Sequence, residues 1–121
     1  MTDLERKETK RWDYEGVMFL IYRDGEFLLE ERIRLDSTLL GYTIIPGGNV
    51  EQDESHEQSF IREVEEEYGI KPVNYHSLGT FENVTLGGKQ YLTTAYLVLD
   101  YEGEIVNREP EKCKLHWLPP D

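Results

Sequence analysis

The chain has 121 residues, which suits one compact domain over 1–121 and is too short for two ordinary domains. Hydrophobic residues make up 38% of it and aromatic residues 12%, which is too rich for a disordered chain. Twenty-five acidic residues against 13 Lys and Arg give a formal net charge of −12, which argues against nucleic acids and anionic membranes as partners. An anionic ligand would therefore need a metal ion or local basic groups.

The cysteine content and the apolar runs bear on the cellular compartment. Cys113 is the single cysteine, so an internal disulfide is excluded and a reducing compartment is expected, with Cys113 as a packed small residue rather than a nucleophile. Residues 1–12 are charged and lack the apolar segment of a signal peptide, and the longest apolar run, at 17–22, is far shorter than the roughly 20 residues of a membrane span. The sequence therefore predicts a cytoplasmic protein without membrane contact.

Strands are predicted in the first part of the chain. Gly16–Tyr22 and Glu26–Ile33 are rich in β-branched, aromatic and leucine residues and are separated by a turn containing Asp24-Gly25, which predicts a β-hairpin. A short apolar strand is predicted at Tyr42–Ile45. Pro46-Gly47-Gly48 follows it as a breaker that lets the backbone turn and approach another group closely.

A helix is predicted over residues 55–68. Ser55 stands three residues before Gln58, which is a capping-box pattern, and Gly69 follows as a glycine of the C-terminal cap. The apolar side chains form one stripe that would dock the helix on a sheet, because they fall at spacings of one, three, four and seven residues: Phe60, Ile61, Val64 and Tyr68.

The remaining predicted elements are strands. Pro72–Phe81 and Lys89–Leu99 have strand composition, and Leu86–Lys89 predicts the connection between them. A further edge strand is predicted near Glu104–Val106, and a short one at Lys114–Leu118. No internal repeat or linker divides the chain, so nothing indicates a domain boundary.

Three glutamates lie on a face beside the apolar stripe. Glu63, Glu66 and Glu67 are at i, i+3 and i+4, where like charges repel, and the helix dipole also disfavours them near this end. Oxygen ligands that converge from one face are what a hard cation such as Mg²⁺ or Mn²⁺ takes. A solvated acidic face is the alternative, and the commoner explanation of an acidic run. Arg62 beside the glutamates and the Pro-Gly-Gly turn ahead of them favour the metal site.

The spacing from Gly48 to Ile70 resembles the complete signature of the Nudix hydrolase family. The opening hairpin, the strand before Pro46 and the stretch around Trp117 are also similar to family members. The fixed positions and the gaps between them run Gly48, five residues, Glu54, seven residues, Arg62-Glu63-Val64, one residue, Glu66-Glu67, one residue, Gly69-Ile70.

This resemblance implies an α+β protein with the Nudix fold, an α/β/α sandwich around a mixed β-sheet, in which the box at 48–70 forms a loop, a helix and a loop. Family members usually continue past the Trp-containing strand into a C-terminal helix. We expect that helix to be absent or cut short here, since the sequence stops at Asp121. An uncovered apolar sheet face would favour association, so a homodimer is a hypothesis.

The resemblance also implies an activity. Members hydrolyse a pyrophosphate bond in a nucleoside diphosphate linked to another group, using water activated by Mg²⁺ or Mn²⁺. Residues 85–88 hold neither the proline associated with ADP-ribose nor the tyrosine associated with diadenosine polyphosphates, which favours a nucleoside triphosphate, including oxidised ones, as the small-molecule substrate. The alternative is a non-catalytic Nudix-fold sensor that binds a nucleotide and regulates a partner.

Residue roles are implied position by position. Arg62 would position the glutamates, and one glutamate or a loop carboxylate would help to deprotonate the attacking water. The implied metal ligands are the backbone carbonyl of Gly47 and the carboxylates of Glu63, Glu66 and Glu67. The residues implied to support the box are Gly48, Glu54 and Gly69.

Three further positions carry alternatives. Arg32 in LLEERIR matches an arginine that meets substrate phosphate in MutT-like members, and a salt bridge with Glu30 or Glu31 is the alternative. Glu109 matches an extra catalytic loop carboxylate, and a solvated loop acid is the alternative. Tyr42 is a candidate for stacking on the base, with core packing as the alternative. The same applies to three other aromatic residues: Phe81, Tyr91 and Trp117.

Overall fold

The computed structural model describes residues 12–35 and 39–120. The predictions made on the charged start of the chain concern residues 1–11 and therefore lie outside the described residues, apart from Trp12. In the described ranges, no helix is both long enough and apolar enough to cross a membrane.

The predicted opening hairpin is confirmed. Strand β1 covers Tyr14–Arg23 and β2 covers Glu26–Arg32. Asp24 and Gly25 both have positive φ angles, 52° and 84°. A two-residue turn with two left-handed residues matches the twist of the strands it joins, which is why an Asp-Gly pair predicts this hairpin.

The segment after the hairpin differs in part from the prediction. Strand β3, at Thr43–Ile44, lies where a short strand is predicted, but the glycines after it form another strand, β4, at Gly47–Asn49. Strand β4 pairs antiparallel with β1. A Cβ atom on Gly47 would lie 2.3 Å from the carbonyl oxygen of Val17, so the close approach expected of this segment is an approach to β1.

Helix α1 covers His56–Tyr68 and begins and ends as predicted. Ser55 and Gln58 form the capping box, and Gly69 has a left-handed φ of 73°. His56 fastens the start of the helix to two strands, since its Nδ1 lies 2.7 Å from Thr94 Oγ1 and its Nε2 lies 2.8 Å from Glu15 Oε1.

Long strands follow the helix. Strand β5 covers Lys71–Val84 and β6 covers Gln90–Glu102, and they form a hairpin longer than predicted. Strand β7 covers Cys113–Leu118. The predicted edge strand near Glu104–Val106 is wrong, because this segment is irregular and the Val106 amide donates to the carbonyl of Tyr68, 3.0 Å away, at the end of α1.

The strands form one mixed sheet, as predicted. Its order is β3-β2-β1-β6-β5, and β4 and β7 pair with β1 and β2 respectively. Strands β1 and β6 are parallel, and the other pairs are antiparallel. Over the two described ranges α1 is the only helix, so the chain is α+β, and no helix follows β7 among those residues.

The apolar stripe of α1 packs on this sheet. Phe60, Val64 and Tyr68 are fully buried, while Ile61 is partly buried against the same core. The Phe60 ring stacks on Tyr96 with centroids 4.3 Å apart. Burial of such a ring is worth about 3–5 kcal/mol against truncation to alanine. The packing fixes the face of α1 that carries the glutamates.

Candidate active site

The site begins at Glu54, whose carboxylate is paired with the guanidinium of Arg62. Arg62 donates from Nε to Glu54 Oε2 at 2.7 Å and from Nη2 to Glu54 Oε1 at 2.9 Å. The Glu51 amide also donates to Glu54 Oε1, at 3.0 Å. The Arg62 guanidinium lowers the pKa of Glu54 to about 2. Glu54 is therefore an ionised anchor that ties the loop before α1 to the helix.

Arg62 also contacts the candidate metal ligands. Its Nη1 donates to Glu63 Oε1 at 2.9 Å and to Glu66 Oε2 at 3.1 Å, and its Nη2 donates to the Asn49 carbonyl at 3.0 Å. Its acidic partners, Glu54 first, raise the pKa of Arg62 further above its ordinary value. Arg62 thus holds two of the three glutamates, and its role in positioning them for a metal ion stays a prediction.

Glu63 lies directly over the glycines of the box. A Cβ atom on Gly48 would lie 2.2 Å from Glu63 Cδ, so a side chain at this position would displace the carboxylate. Burial raises the pKa of Glu63, and the Arg62 hydrogen bond opposes that shift. Gly47 precedes Gly48 in β4, and its carbonyl stays a predicted ligand.

Glu67 has the opposite surroundings to Glu54. Its Oε2 atom is buried and has no hydrogen-bond partner among the residues that the structure describes. Burial, followed by the charges of Glu30, Glu63 and Glu109, raises the pKa of Glu67 to about 9. A carboxylate in this position is uncharged near neutral pH unless a positive group joins it.

These residues fit a hard divalent cation by their chemistry. The donors are carboxylate oxygens, and the buried unpaired oxygen of Glu67 lacks a positive partner. Among the residues described, no three acidic, histidine or cysteine side chains already converge as a metal site does. Arg62 Nη1 takes one oxygen of Glu63 and one of Glu66, so the other oxygen of each carboxylate could face a cation.

Glu30 is a residue that the sequence analysis did not place in the site. Its side chain is buried, and it accepts hydrogen bonds from the Tyr68 hydroxyl and, at 3.2 Å, from Arg32 Nη1. A signal was present in the sequence, because Glu30 is two residues from buried Leu28 and so faces the core on the same side of β2.

Arg32 and Tyr42 meet through their backbones. The Arg32 amide donates to the Tyr42 carbonyl at 2.9 Å. The Tyr42 side chain is 55% exposed, so it is not a core residue. For Arg32 the alternative partner is found, since its salt bridge is with Glu30, but Glu30 is buried rather than on the surface.

The segment after β6 caps the C-terminal end of α1. Arg108 donates from Nη1 to the Glu65 carbonyl at 3.0 Å and from its amide to the Glu67 carbonyl at 3.2 Å. The left-handed φ of 73° favours glycine at position 69, and a Cβ atom there would lie 2.7 Å from Arg108 Nη2, so the end of the arginine would have to shift. Arg108, another residue missed by sequence, supplies the positive charge that this helix end favours.

Glu109 is the residue after Arg108. The charge of Glu109 contributes to the raised pKa values of both Glu63 and Glu67, so the loop carboxylate is close enough to act on the helix glutamates. Its own partner is Lys112, whose Nζ lies 3.5 Å from Glu109 Oε1.

Cys113 is buried, and burial raises the pKa of its thiol to about 11, which fits a packed residue rather than a nucleophile.

A shallow pocket of about 210 Å³ opens beside the box. It lies between β1, the β3–β4 segment and the β5–β6 hairpin. Of the aromatic candidates for the base, Tyr91 lines it, whereas Tyr42, Phe81 and Trp117 do not. The pocket is lined by Gly16, Val17, Met18, Ile44, Ile45, Gly47, Gly48, Asn49, Asn83, Thr85, Tyr91 and Thr93.

Known proteins resemble this chain in sequence. The family model of the NUDIX domain matches residues 14–121. CTP pyrophosphohydrolase of Escherichia coli (strain K12) is 33% identical over 107 residues, 88% of this chain and 76% of that protein. An uncharacterized Nudix hydrolase of Bacillus subtilis (strain 168), YvcI, is 33% identical over 81 residues. That match covers 64% of this chain and 51% of YvcI, so the chain spans about half the length of this second relative.

A solved structure resembles the chain in fold. The crystal structure of a MutT NUDIX hydrolase from Burkholderia pseudomallei superposes with a TM-score of 0.77 at 31% identity. The match covers 87% of this chain and 81% of that one.

Proposed function

The chain belongs to the Nudix hydrolase family, and from this premise we propose that it cleaves a pyrophosphate bond in a nucleoside di- or triphosphate derivative, with Mg²⁺ or Mn²⁺ as cofactor. Nucleoside triphosphates, including oxidised ones, are the favoured substrates. Nudix hydrolases generally use divalent metal ions. The proposal also accounts for a protein of formal charge −12 that binds a polyphosphate, because a cation would lie between the two sets of negative charge.

The observation that carries the proposal is the unpaired Glu67 carboxylate. A buried polar atom without a partner costs about 1–3 kcal/mol, and more when it is charged. Glu63 and Glu109 add negative charge around it. Such an arrangement is costly for the fold alone and useful for a site that receives a cation. Glu63, Glu66 and Glu67 are the proposed metal ligands, together with the carbonyl of Gly47.

The bound cation would offset the charge of the polyphosphate and lower the pKa of a water molecule. The protein supplies the geometry around it. Arg62, fixed by Glu54, holds Glu63, which lies over Gly48, and also holds Glu66. Glu109 on the loop after β6, or one of the helix glutamates, would accept the proton of the attacking water.

Two residues at the other side would orient the substrate. Arg32 offers a guanidinium, a group suited to phosphate oxygens, and its salt bridge to Glu30 is compatible with that role because the side chain remains 20% exposed. Tyr42 lies beside it with an exposed ring able to stack. The pocket next to Gly48 would receive the base, with Tyr91 as one wall. The 33% identity to a CTP pyrophosphohydrolase supports a nucleoside triphosphate there.

The test is product release from a panel of nucleotides with Mg²⁺ and with Mn²⁺. The panel comprises nucleoside triphosphates, oxidised triphosphates, nucleotide sugars and dinucleotide polyphosphates. We expect at least one triphosphate to be hydrolysed. Glu67→Gln should lose nearly all of this turnover, because its neutral amide removes the negative ligand. The matched control is Glu65→Gln, which changes an exposed glutamate on the same helix and should retain activity.

Two outcomes would contradict the hydrolase. Turnover that survives in Glu67→Gln would show that the reaction does not use this site. No turnover of any compound, with saturable nucleotide binding in both the parent and Glu67→Gln, would favour the non-catalytic sensor instead.

A further inference from the structure

We propose that Glu30 is a positioning residue of the hydrolase: held by Tyr68, it fixes the guanidinium of Arg32 for the phosphates of the substrate. The inference rests on the proposed function, since Arg32 is given a substrate only there. It assigns a role to a buried acid that the box signature does not include.

Burial of the Glu30 carboxylate is costly. It is 3% exposed and faces the core on the same side of β2 as Leu28. An apolar residue would fill this position without desolvating a charge, and buried ion pairs are often no more stable than such a replacement. The carboxylate therefore calls for an explanation other than packing.

The Glu30 carboxylate is held in place by Tyr68. The Tyr68 hydroxyl donates to its Oε2 atom, and Tyr68 is 1% exposed at the end of α1. This contact joins β2 to the helix that carries Glu67. One carboxylate oxygen is thus fixed by the core, which leaves the other, Oε1, to receive Arg32.

Glu30 contacts the guanidinium of Arg32. Arg32 Nη1 donates to Glu30 Oε1 at 3.2 Å, whereas Arg32 Nε is buried and has no hydrogen-bond partner within residues 12–35 and 39–120. Among the charges that act on Glu67 are those of Glu30 and Arg32. The contact with Glu30 Oε1 therefore fixes the Arg32 guanidinium in one orientation, in which it would meet the phosphates of the substrate.

The competing explanation is purely structural, with Glu30 serving only to satisfy the Tyr68 hydroxyl. The two explanations differ in a double-mutant cycle. A residue that acts through Arg32 has nothing left to act on once Arg32 is removed, so its effect disappears in that background. A structural residue affects activity to the same degree with or without Arg32.

The experiment measures kcat and KM on the best triphosphate of the panel for Glu30→Gln, Arg32→Ala and the double variant. We expect Glu30→Gln to reduce kcat/KM by about tenfold or more, as loss of such supporting contacts typically does. In the Arg32→Ala background the same substitution should change kcat/KM by less than about twofold. Glu31→Gln is the matched control, because Glu31 is the next residue on β2, pairs with His116 at 2.9 Å, and should leave kcat/KM unchanged.

Several results would overturn the inference. Equal effects of Glu30→Gln in both backgrounds would assign Glu30 a structural role, as would a loss that Glu31→Gln reproduces. If Glu30→Gln does not fold, Tyr68→Phe carries the same cycle, since loss of the hydroxyl frees Oε2 of Glu30 and lets the carboxylate that fixes Arg32 turn. A parent protein that hydrolyses no nucleotide overturns the proposed function itself, whereas an active parent with an additive cycle overturns only the role of Glu30.

Discussion

Glu54 and Glu67 belong to the same motif, yet the structure gives them opposite electrostatic surroundings. Glu54 accepts two hydrogen bonds from Arg62, and its pKa is about 2. Glu67 has a buried oxygen without a partner and a pKa of about 9. The difference lies in what surrounds each carboxylate, a guanidinium in one case and burial among other acids in the other.

This difference separates two tasks within one run of acidic residues. The Glu54 side of α1 is complete without any ligand, because Arg62 neutralises it and ties the loop to the helix. The Glu67 side is incomplete, because Glu30, Glu63 and Glu109 add to its negative charge. One acidic stretch thus contains an anchoring carboxylate, Glu54, and a carboxylate suited to receive a cation, Glu67. The guanidinium of Arg62 separates the two roles, because it pairs with Glu54.

The largest effect expected from this comparison is on turnover. Glu67→Gln should lower kcat by about 10³-fold or more, since removing a negative ligand at the reacting phosphates costs several kcal/mol of transition-state stabilisation. Glu54→Gln should lower it by about 10- to 100-fold, because it acts through Arg62 on the orientation of Glu63 and Glu66. Steady-state kinetics under saturating Mg²⁺ would measure both. Equal losses of kcat in the two variants would contradict different roles for Glu67 and Glu54.

A second effect is on stability against pH in the presence of a chelator. Between about pH 4.5 and 9 native Glu67 keeps a proton that the unfolded chain has released, so its contribution lowers stability as pH rises, by an amount on the order of a few kcal/mol. Glu63 acts in the same direction. Native Glu54, with its lowered pKa, contributes stability above about pH 4.5 that is lost as pH falls toward 2.

Urea unfolding from pH 3 to 9 would separate these contributions. Glu67→Gln should flatten the decline above pH 5 and should not destabilise the chelated protein at pH 8. Glu54→Gln should reduce stability at pH 7 by about 1–3 kcal/mol, because Arg62 loses a partly buried partner. A parent protein whose stability rises from pH 5 to 9 would contradict the assigned surroundings of Glu67.

The smallest effect concerns the cap of α1. Arg108→Ala should remove the contact with the Glu65 carbonyl and the favourable charge at the helix end, at a cost of about 0.5–1 kcal/mol. Because Glu109 is the next residue, we also expect a fall in kcat of a few fold. Lys112→Ala is the comparison, since it removes the ion pair of Glu109 without touching the helix. A greater loss of activity in Lys112→Ala would show that Arg108 does not place the loop.

Local chemistry explains how much of the fold could be predicted. The capping box at Ser55, the left-handed Gly69 and the Asp-Gly turn each depend on neighbouring residues, and each is found where predicted. The prediction of an edge strand near Glu104–Val106 is wrong because of a contact with a residue distant in the sequence. The backbone of this segment bonds to the end of α1 instead of to a strand, and nothing within the segment itself indicates that partner.

The site divides in the same way. Arg62 and Glu63 lie side by side with Glu54 nearby in sequence, and a spacing pattern is enough to group them. Glu30 and Arg108 reach the helix from positions 38 and 43 residues away along the chain, through Tyr68 and Glu65. Their approach is set by strand pairing and by the return of the chain after β6, so only the fold reveals that they support the site.

The most direct test is proton release on cation binding. Isothermal titration of the chelated protein with Mg²⁺ or Mn²⁺ at pH 7.5, repeated in buffers of different ionisation enthalpy, counts the protons displaced from the site. We predict that binding releases close to one proton in the parent and in Glu54→Gln, and that Glu67→Gln loses both the release and most of the affinity. Saturable binding without proton release, or with the same release in Glu67→Gln, would contradict a cation site at the buried carboxylate of Glu67.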